Sequence, residues 1–257
     1  MATGLSILLF FLLLFLLSLG IWVAPALITL GYILLEFFTP APVGSLLAST
    51  LWDASWNWAL TALPLFIWMG EILFRTRLSS EMFKGLAPML SSLPGGLLHV
   101  NVVGCGIMAA VAGSSAVTCA TIGRMSIPEL KKRNYDETLS IGSLAGSGTL
   151  GLLIPPSIML IVYGVLAQVS ISRLFIAGVL PGIMIIGIFM TYIMIRAKLN
   201  PSLAPKQDVT YTFLEKILAA KNLIPVVGLI FLVLGSIYGG YATPTEAATI
   251  GVIGALL

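Results

Sequence analysis

The chain has 257 residues, of which 58% are hydrophobic and only 9% charged, with a net charge of +3 and a mean hydropathy of +1.07. Soluble domains carry roughly a quarter charged residues, so too few polar side chains are present to cover a globule in water. Soluble enzymes, nucleic-acid binders and secreted disulfide scaffolds are excluded, and lipid is the expected solvent. Two cysteines, Cys105 and Cys119, sit in apolar or small-residue stretches; they read as small buried hydrophobes, with a metal or redox pair as the alternative.

Crossing a bilayer core takes about twenty mostly apolar residues. Residues 5–21 form the first such run and contain no charge. No Lys or Arg precedes it and no small-residue cleavage site follows, so it is not read as a signal peptide. After a break around Pro25 a second run reaches Phe38, with Glu36 near its end, and Pro40, Pro42 and Gly44 mark a turn. Trp52, Trp56 and Trp58 then place three tryptophans in seven residues, the pattern of an aromatic belt at a membrane interface. A third run, 59–74, ends in Arg75 and Arg77. Further runs cover 97–122, 139–167, 174–195 and 223–238, and a last one begins near Ala247.

The basic residues orient these spans. Twelve of the thirteen Lys and Arg fall in three segments, 75–84, 124–133 and 196–221, and only Arg173 lies elsewhere. Positive charge in short loops favours the cytoplasm, so all three segments are expected inside and the N-terminus outside. The stretch between Lys84 and Arg124 then starts and ends on one side. Two full crossings need roughly forty apolar residues, and about thirty are present between Leu93 and Ile122. A re-entrant hairpin satisfies both constraints: in along 97–112, a turn at Gly113-Ser114-Ser115, and back along 116–122. A polar tip at membrane depth implies surrounding protein or a watery cavity.

The run 139–167 spans 29 residues, about 43 Å as a helix against a hydrocarbon core of about 30 Å. Its middle reads Gly146-Ser147-Gly148-Thr149-Leu150-Gly151-Leu152-Leu153-Ile154-Pro155-Pro156-Ser157. The glycines lower helix propensity and the two prolines remove donors and restrict their predecessors, so the helix is expected to break across this segment into two half-helices. A hairpin tip and a helix break, both polar and both at depth, are the sequence pointer for a secondary transporter: half-helix N-termini face anionic substrate groups and unwound carbonyls hold a cation. Ser114, Ser115, Thr118, Ser147 and Thr149 offer hydroxyl oxygens and neither element holds a carboxylate, so neutral oxygens would bind Na+. Close packing is the competing explanation for the glycines, and is preferred for Gly142-x-x-x-Gly146 and Gly178-x-x-x-Gly182.

Other constellations carry blander readings. Ser114 or Ser115 with His99 suggests an intramembrane protease, but His99 lies fifteen residues before Ser114, about 22 Å along a helix; His99 is read instead as a polar group at the hairpin mouth. Glu71 and Arg75 have the i, i+4 spacing of an interfacial pair, with a proton relay as the sharper alternative. Glu36 lies near an interface or against a partner subunit. Thr243-Pro244-Thr245-Glu246 is a capping box that starts a helix, and Ser126-Ile127-Pro128-Glu129 is expected to start a separate cytoplasmic helix carrying Lys131, Lys132 and Arg133.

Several stretches together resemble a known family. Ala112-Gly113-Ser114-Ser115-Ala116-Val117, Ile127-Pro128-Glu129-Leu130-Lys131-Lys132, Gly148 through Ser157 and Ile161-Val162-Tyr163-Gly164 are similar to the large, DctM-like membrane subunit of tripartite ATP-independent periplasmic (TRAP) transporters. Leu93-Pro94-Gly95-Gly96, Ser172-Arg173-Leu174-Phe175-Ile176-Ala177-Gly178 and Tyr241-Ala242-Thr243-Pro244-Thr245-Glu246-Ala247-Ala248 add to the likeness, in order, along almost the whole chain. The resemblance implies an elevator-type, sodium-coupled importer of organic acid anions (C4-dicarboxylates, sialic acid or similar carboxylates). A periplasmic substrate-binding protein delivers the substrate and a small four-helix membrane subunit accompanies the large one. It implies a sodium site at Gly113, Ser114, Ser115, Thr118, Gly146, Ser147, Gly148 and Thr149, with Gly151, Pro155, Pro156 and Ser157 on the substrate side. No catalytic residue, no cofactor beyond the coupling ion and no nucleic-acid partner are expected.

The reading is therefore an all-α, polytopic protein of the bacterial or archaeal cytoplasmic (inner) membrane. It comprises scaffold helices (1–78), a transport-type region (79–168) with an interfacial helix, the hairpin (about 93–123) and the broken helix (about 138–168), further spans joined by a basic loop (169–240), and the opening of a second repeat (241–257). Members of the family have two inverted repeats, so the second hairpin, second sodium site and half of the pocket are expected to be missing. A channel-like or structural membrane subunit is the alternative; a channel would conduct without a sodium gradient. The expected outcome for the 257-residue chain alone in liposomes is no sodium-dependent uptake of organic acids, measured with radiolabelled solute; uptake by it would overturn the half-machine reading.

Overall fold

The structure, a computed structural model, describes residues 2–40, 42–76, 78–205 and 211–256, and every regular element among them is helical. Lipid dictates this outcome, because a helix satisfies its backbone N–H and C=O groups internally whereas an open strand does not. Four stretches, Trp58–Arg75, Glu137–Leu166, Ile171–Leu199 and Phe213–Tyr238, are long and apolar enough to cross a membrane. The chain is thus an all-α, polytopic membrane protein. Arg77 and Lys206, two of the orienting charges, lie outside the described residues.

The chain divides into two compact units, Met1–Asn57 and Trp58–Leu257. The first holds α1 (Ala2–Ser18), α2 (Val23–Phe38) and α3 (Val43–Ser55). Among its described residues only Ala26 and Val43 have buried side chains, and large apolar groups such as Phe11, Phe15 and Phe37 point outward. Such a surface is stable only against lipid or another protein. Trp52 and Trp56 stack at the end of α3 with ring centroids 6.0 Å apart, and both are exposed.

The second unit contains α4 (Ala62–Arg75), entered through a 3-10 turn at Trp58–Thr61, then α5 (Leu78–Leu90), α6 (Leu98–Ala112), α7 (Ser115–Lys132), α8 (Glu137–Gly148), α9 (Leu150–Leu153), α10 (Ile158–Leu166), α11 (Ile171–Leu199), α12 (Phe213–Ala220), α13 (Ile224–Tyr238) and α14 (Pro244–Leu256). Its centre is α6. Thirteen of the 15 residues of α6 are buried, and α4, α5, α7, α8, α9, α11 and α13 all pack on it. The sequence permits this because α6 is apolar or small around its whole circumference, the pattern of a fully enclosed helix. Small residues set the spacing: a Cβ on Gly70 of α4 would stand 3.1 Å from the Ala112 Cα, and one on Gly106 would stand 2.7 Å from Ile186 of α11.

The capping box at the start of α14 forms as expected, with the Thr243 N–H donating to Glu246 Oε2 (2.8 Å) and the Glu246 N–H to Thr243 Oγ1 (3.4 Å). The second expected box does not. Ser126 is fully buried, and α7 runs unbroken through Pro128 to Lys132. One lost N–H bond is outweighed because Ile122, Ser126 and Leu130 keep one face of α7 buried at helical spacing. The basic segment 196–221 likewise holds helix among its described residues. A Thr212/Glu215 capping box starts α12, which continues through a 3-10 turn at Lys221–Leu223 into α13. Between α7 and α8, Lys131 Nζ pairs with Glu137 Oε1 at 2.7 Å, and that contact raises the Lys131 pKa.

Glycine packing is split. Gly178 and Gly182 of α11 approach the end of α9, where a Cβ would meet the Leu153 carbonyl oxygen at 2.8 Å and Ile154 Cγ1 at 2.7 Å. Gly142, assigned to packing from its spacing, has nothing within 4 Å of a built Cβ, because it faces a cavity. Glu71 and Arg75 form the expected pair at 2.6 Å.

One polar tie crosses the apolar core. Asn101 of α6 donates through Nδ2 to the Ser140 carbonyl oxygen (3.2 Å) and to Ser143 Oγ (2.9 Å), both on α8. Interhelical bonds of this kind in membranes contribute about 1 kcal/mol or less each. Asn101→Leu is expected to lower unfolding stability by about 1–2 kcal/mol, read as an earlier midpoint in detergent unfolding; an unchanged midpoint would remove the tie from the core's support.

Candidate functional site

The site is where two helix interruptions meet. The first is the α6–α7 turn. Gly113 ends α6 in the left-handed region (φ 59°, ψ 9°), a conformation that a residue without Cβ adopts at no steric penalty. Its N–H donates to the Ala109 carbonyl oxygen at 3.1 Å, and Ser114 follows in extended geometry (φ −133°, ψ 127°) as the N-cap of α7. The second is the break between α9 and α10. Here Ile154 is extended, Pro155 and Pro156 are joined by a cis peptide bond, and Ser157 N-caps α10.

The break falls at 154–157 and not across the whole of 146–157. Gly146, Ser147 and Gly148 remain in α8, with only a slight discontinuity at Thr149 before α9. The physical distinction is one of magnitude. A glycine in a helix costs about 1 kcal/mol relative to alanine, whereas a proline costs about 3 kcal/mol and removes a hydrogen bond. Close packing offsets the glycine penalty: a Cβ on Gly148 would stand 3.0 Å from Cys119 Cβ of α7.

The two interruptions lock together through backbone. The Ile158 N–H donates to the Gly113 carbonyl oxygen at 3.2 Å. A Cβ on Gly113 would lie 2.6 Å from the Pro156 carbonyl oxygen, and one on Gly151 would lie 2.6 Å from the Ser115 nitrogen. Three sequence-selected glycine and proline positions therefore touch: Gly113 with Pro156, and Gly151 with the Ser114–Ser115 peptide. The start of α7 at Ser115 and the start of α10 at Ile158 are brought side by side. The first N–H groups of a helix lack intrahelical partners and carry partial positive charge, so this junction brings two electropositive ends together beside the interrupted backbone.

The hydroxyls differ in how far they are committed. Thr118, one turn into α7, is fully buried and its Oγ1 has no hydrogen-bond partner. Ser147 is also fully buried, but its hydroxyl donates to the Ser143 carbonyl oxygen at 2.6 Å. Ser157 donates to the Leu152 carbonyl oxygen at 2.6 Å, closing the break on itself. Thr149 is exposed, and its hydroxyl is bonded to the Gly146 carbonyl oxygen at 2.6 Å. Gly146 faces Phe189 of α11. Hence Gly113, Ser114, Ser115, Gly151, Pro156 and Ser157 gather at the junction, while Gly146 and Thr149 stand at the α8–α9 joint behind it.

His99 is fully buried, with Nε2 2.8 Å from the Pro94 carbonyl oxygen; it lies at the opposite end of α6 from the tip, so no His–Ser pair forms. Asn101 is the polar residue that the sequence reading passed over. Its signal was present: it is the one amide within the run 97–122, and its Oδ1 is buried without a partner. Among the described residues no group of three or more His, Cys, Asp or Glu side chains is placed to hold a metal ion.

The family described as tripartite ATP-independent periplasmic transporter, DctM component, matches residues 9–257. The C4-dicarboxylate TRAP transporter large permease protein DctM of Pseudomonas aeruginosa is 34% identical over 87% of this chain and 51% of its own length. The isethionate TRAP transporter permease protein DctMQ of Oleidesulfovibrio alaskensis is 36% identical over 76% of this chain and 30% of its own. The ectoine TRAP transporter large permease protein TeaC of Halomonas elongata is 32% identical, over 77% and 46% respectively. The chain spans about half the length of the curated relatives it matches.

Gly151→Ala is expected to separate the hairpin tip from α9 and lower stability by about 1–3 kcal/mol, the usual cost of overpacking. Gly142→Ala, with open space around it, should be neutral or stabilising by up to about 1 kcal/mol. Thermal unfolding of both variants in detergent checks the contrast; equal effects would remove the tight tip contact.

Proposed function

The chain belongs to the DctM component of the tripartite ATP-independent periplasmic transporters, and from that premise we propose that it is part of the permease of a sodium-coupled importer of organic acid anions. The observation that carries this reading is the junction at Gly113 and Ile158, with two helix N-termini held side by side next to a buried Thr118 oxygen that has no partner. Electropositive helix ends suit the carboxylate of a substrate, and unpaired oxygens at depth suit a small hard cation. On this proposal Na+ is held by Gly113, Ser114, Ser115 and Thr118 together with the 146–149 joint. The substrate lies toward Gly151, Pro155, Pro156 and Ser157. The relatives' names support a small polar solute: C4-dicarboxylate, isethionate, ectoine and 2,3-diketo-L-gulonate.

The accompanying parts follow from family membership. A periplasmic binding protein hands over the anion, and a small membrane subunit sits beside the large one. Residues 1–78 serve as scaffold, 79–168 as the moving, re-entrant part of an elevator, and the N-terminus faces the periplasm of a bacterial inner membrane. The basic segments support that orientation.

The test uses a full-length permease carrying this sequence, with its small subunit and binding protein, in proteoliposomes supplied in turn with labelled succinate, isethionate and ectoine. Uptake of at least one solute is expected only with an inward sodium gradient. Ser115→Ala and Thr118→Val should each raise the half-saturating sodium concentration about tenfold, equivalent to about 1.4 kcal/mol, while Gly142→Ala leaves it unchanged. Sodium-independent uptake, or unaltered sodium activation in both site variants, sinks the assignment.

A further inference from the structure

A second feature of the chain has no part in the junction. A cavity of about 700 Å3 opens between α8 and α11, at the end of α11 that carries Arg196 and Lys198. Its walls are apolar, formed by Val102, Leu139, Ile188, Phe189, Ile193 and Leu203. Its polar groups are Asp136, Thr138, Ser143, Tyr192 and Arg196; Asp136 and Thr138 stand at the start of α8 and Arg196 near the end of α11, with Ser143 and Tyr192 further in. From Arg196 to Phe189, or from Asp136 to Gly142, is six to seven helical residues, about 10 Å at 1.5 Å per residue. The cavity therefore passes from a charged mouth to a mainly apolar interior within about 10 Å.

The charges at the mouth narrow the occupant. Arg196 makes no ion pair among the described residues, and no ion pair joins it to Asp136. Asp136 spends Oδ1 on capping the Leu139 N–H at 2.7 Å, which leaves its second oxygen to accept a bond from a ligand. One cavity thus presents a cation and an anion that are not satisfied by each other, above an apolar groove. Its complement is a zwitterion with a hydrocarbon tail. A phosphate diester takes the guanidinium, with the Tyr192 hydroxyl as a further donor. A primary ammonium carries three donors, and Asp136 and the Thr138 hydroxyl accept from it. A quaternary ammonium has no N–H to give them, and a glycerol headgroup has no positive charge. Gly142 opens the groove to the acyl chain, since nothing lies within 4 Å of where its Cβ would be.

We infer that the groove between α8 and α11 is a binding site for one phosphatidylethanolamine molecule, its phosphate on Arg196, its ammonium on Asp136 and an acyl chain along Gly142 and Phe189. The site is separate from the hairpin junction and is independent of which solute is transported. It makes the position of α11 against α8 sensitive to the headgroup composition of the surrounding leaflet.

The test is native mass spectrometry of the 257-residue chain in mild detergent, with equimolar phosphatidylethanolamine, phosphatidylglycerol and phosphatidylcholine of identical acyl chains. The wild type is expected to retain the ethanolamine lipid at least fivefold over either competitor. Asp136→Asn keeps the helix cap and removes the charge, and should bring the ethanolamine-to-glycerol ratio close to one. Arg196→Gln should weaken all three adducts, and Gly142→Phe should fill the groove and abolish them at an unchanged unfolding temperature. Equal adducts of the three lipids on the wild type overturn the proposal, as does an undiminished ethanolamine preference in Asp136→Asn. The cap-preserving Asp136→Asn decides the matter by itself should Gly142→Phe fail to fold.

Discussion

Buried backbone that is neither helix nor strand has to find partners, and the hydrogen bond from the Ile158 N–H to the Gly113 carbonyl oxygen is how this chain meets that demand. The hairpin turn and the proline break each leave peptide groups unsatisfied; placed against one another, each supplies part of what the other lacks. The contact requires that no side chain intervene. Gly113 and Gly151 both stand within 2.6 Å of foreign backbone at their missing Cβ positions. Larger residues at either place would part the two interruptions and leave their peptide groups without these partners.

The enclosure of α6 follows from the same demand. A helix whose C-terminal cap must meet the break has to run through the middle of the unit, and only a sequence apolar or small on all sides tolerates that position. The polar groups admitted there are few and positioned. Asn101 ties α6 to α8 and His99 meets the turn below it at Pro94, while on the adjoining α7 Thr118 retains a buried oxygen with no protein partner. An unpaired buried hydroxyl is costly; Thr118 carries one at the start of α7 and Ser126 a second, eleven residues from Ser115 along the same helix.

Much of this was legible beforehand because it rests on strong local physics. The all-helical class came from the scarcity of charge, the turn at Gly113-Ser114-Ser115 from basic segments on both sides of a stretch too short to cross twice, and the helix breakage from adjacent prolines. The helix start at Thr243 came from a reciprocal cap. Errors arose where two weak local signals competed. Glycines at 146 and 148 suggested unwinding, yet packing against Phe189 and Cys119 respectively keeps them helical. Pro128 suggested a new helix, yet the burial of Ser126 and Leu130 carries α7 through it. Thr212 and Glu215 held a readable cap within a segment dismissed as basic loop.

The sequence by itself determined which solvent the chain folds in, where its helices cannot continue, and which small and hydroxyl-bearing residues sit at those interruptions. These are properties of composition and of one or two adjacent peptide units. Only the tertiary structure decided that the two interruptions face each other, that the buried Thr118 hydroxyl beside them is left without a partner, and that Gly142 opens onto a cavity while Gly178 does not. Spacing along a helix gives the face a residue occupies but not what stands opposite it, and what stands opposite comes from helices as far apart in the chain as α6, α8 and α11.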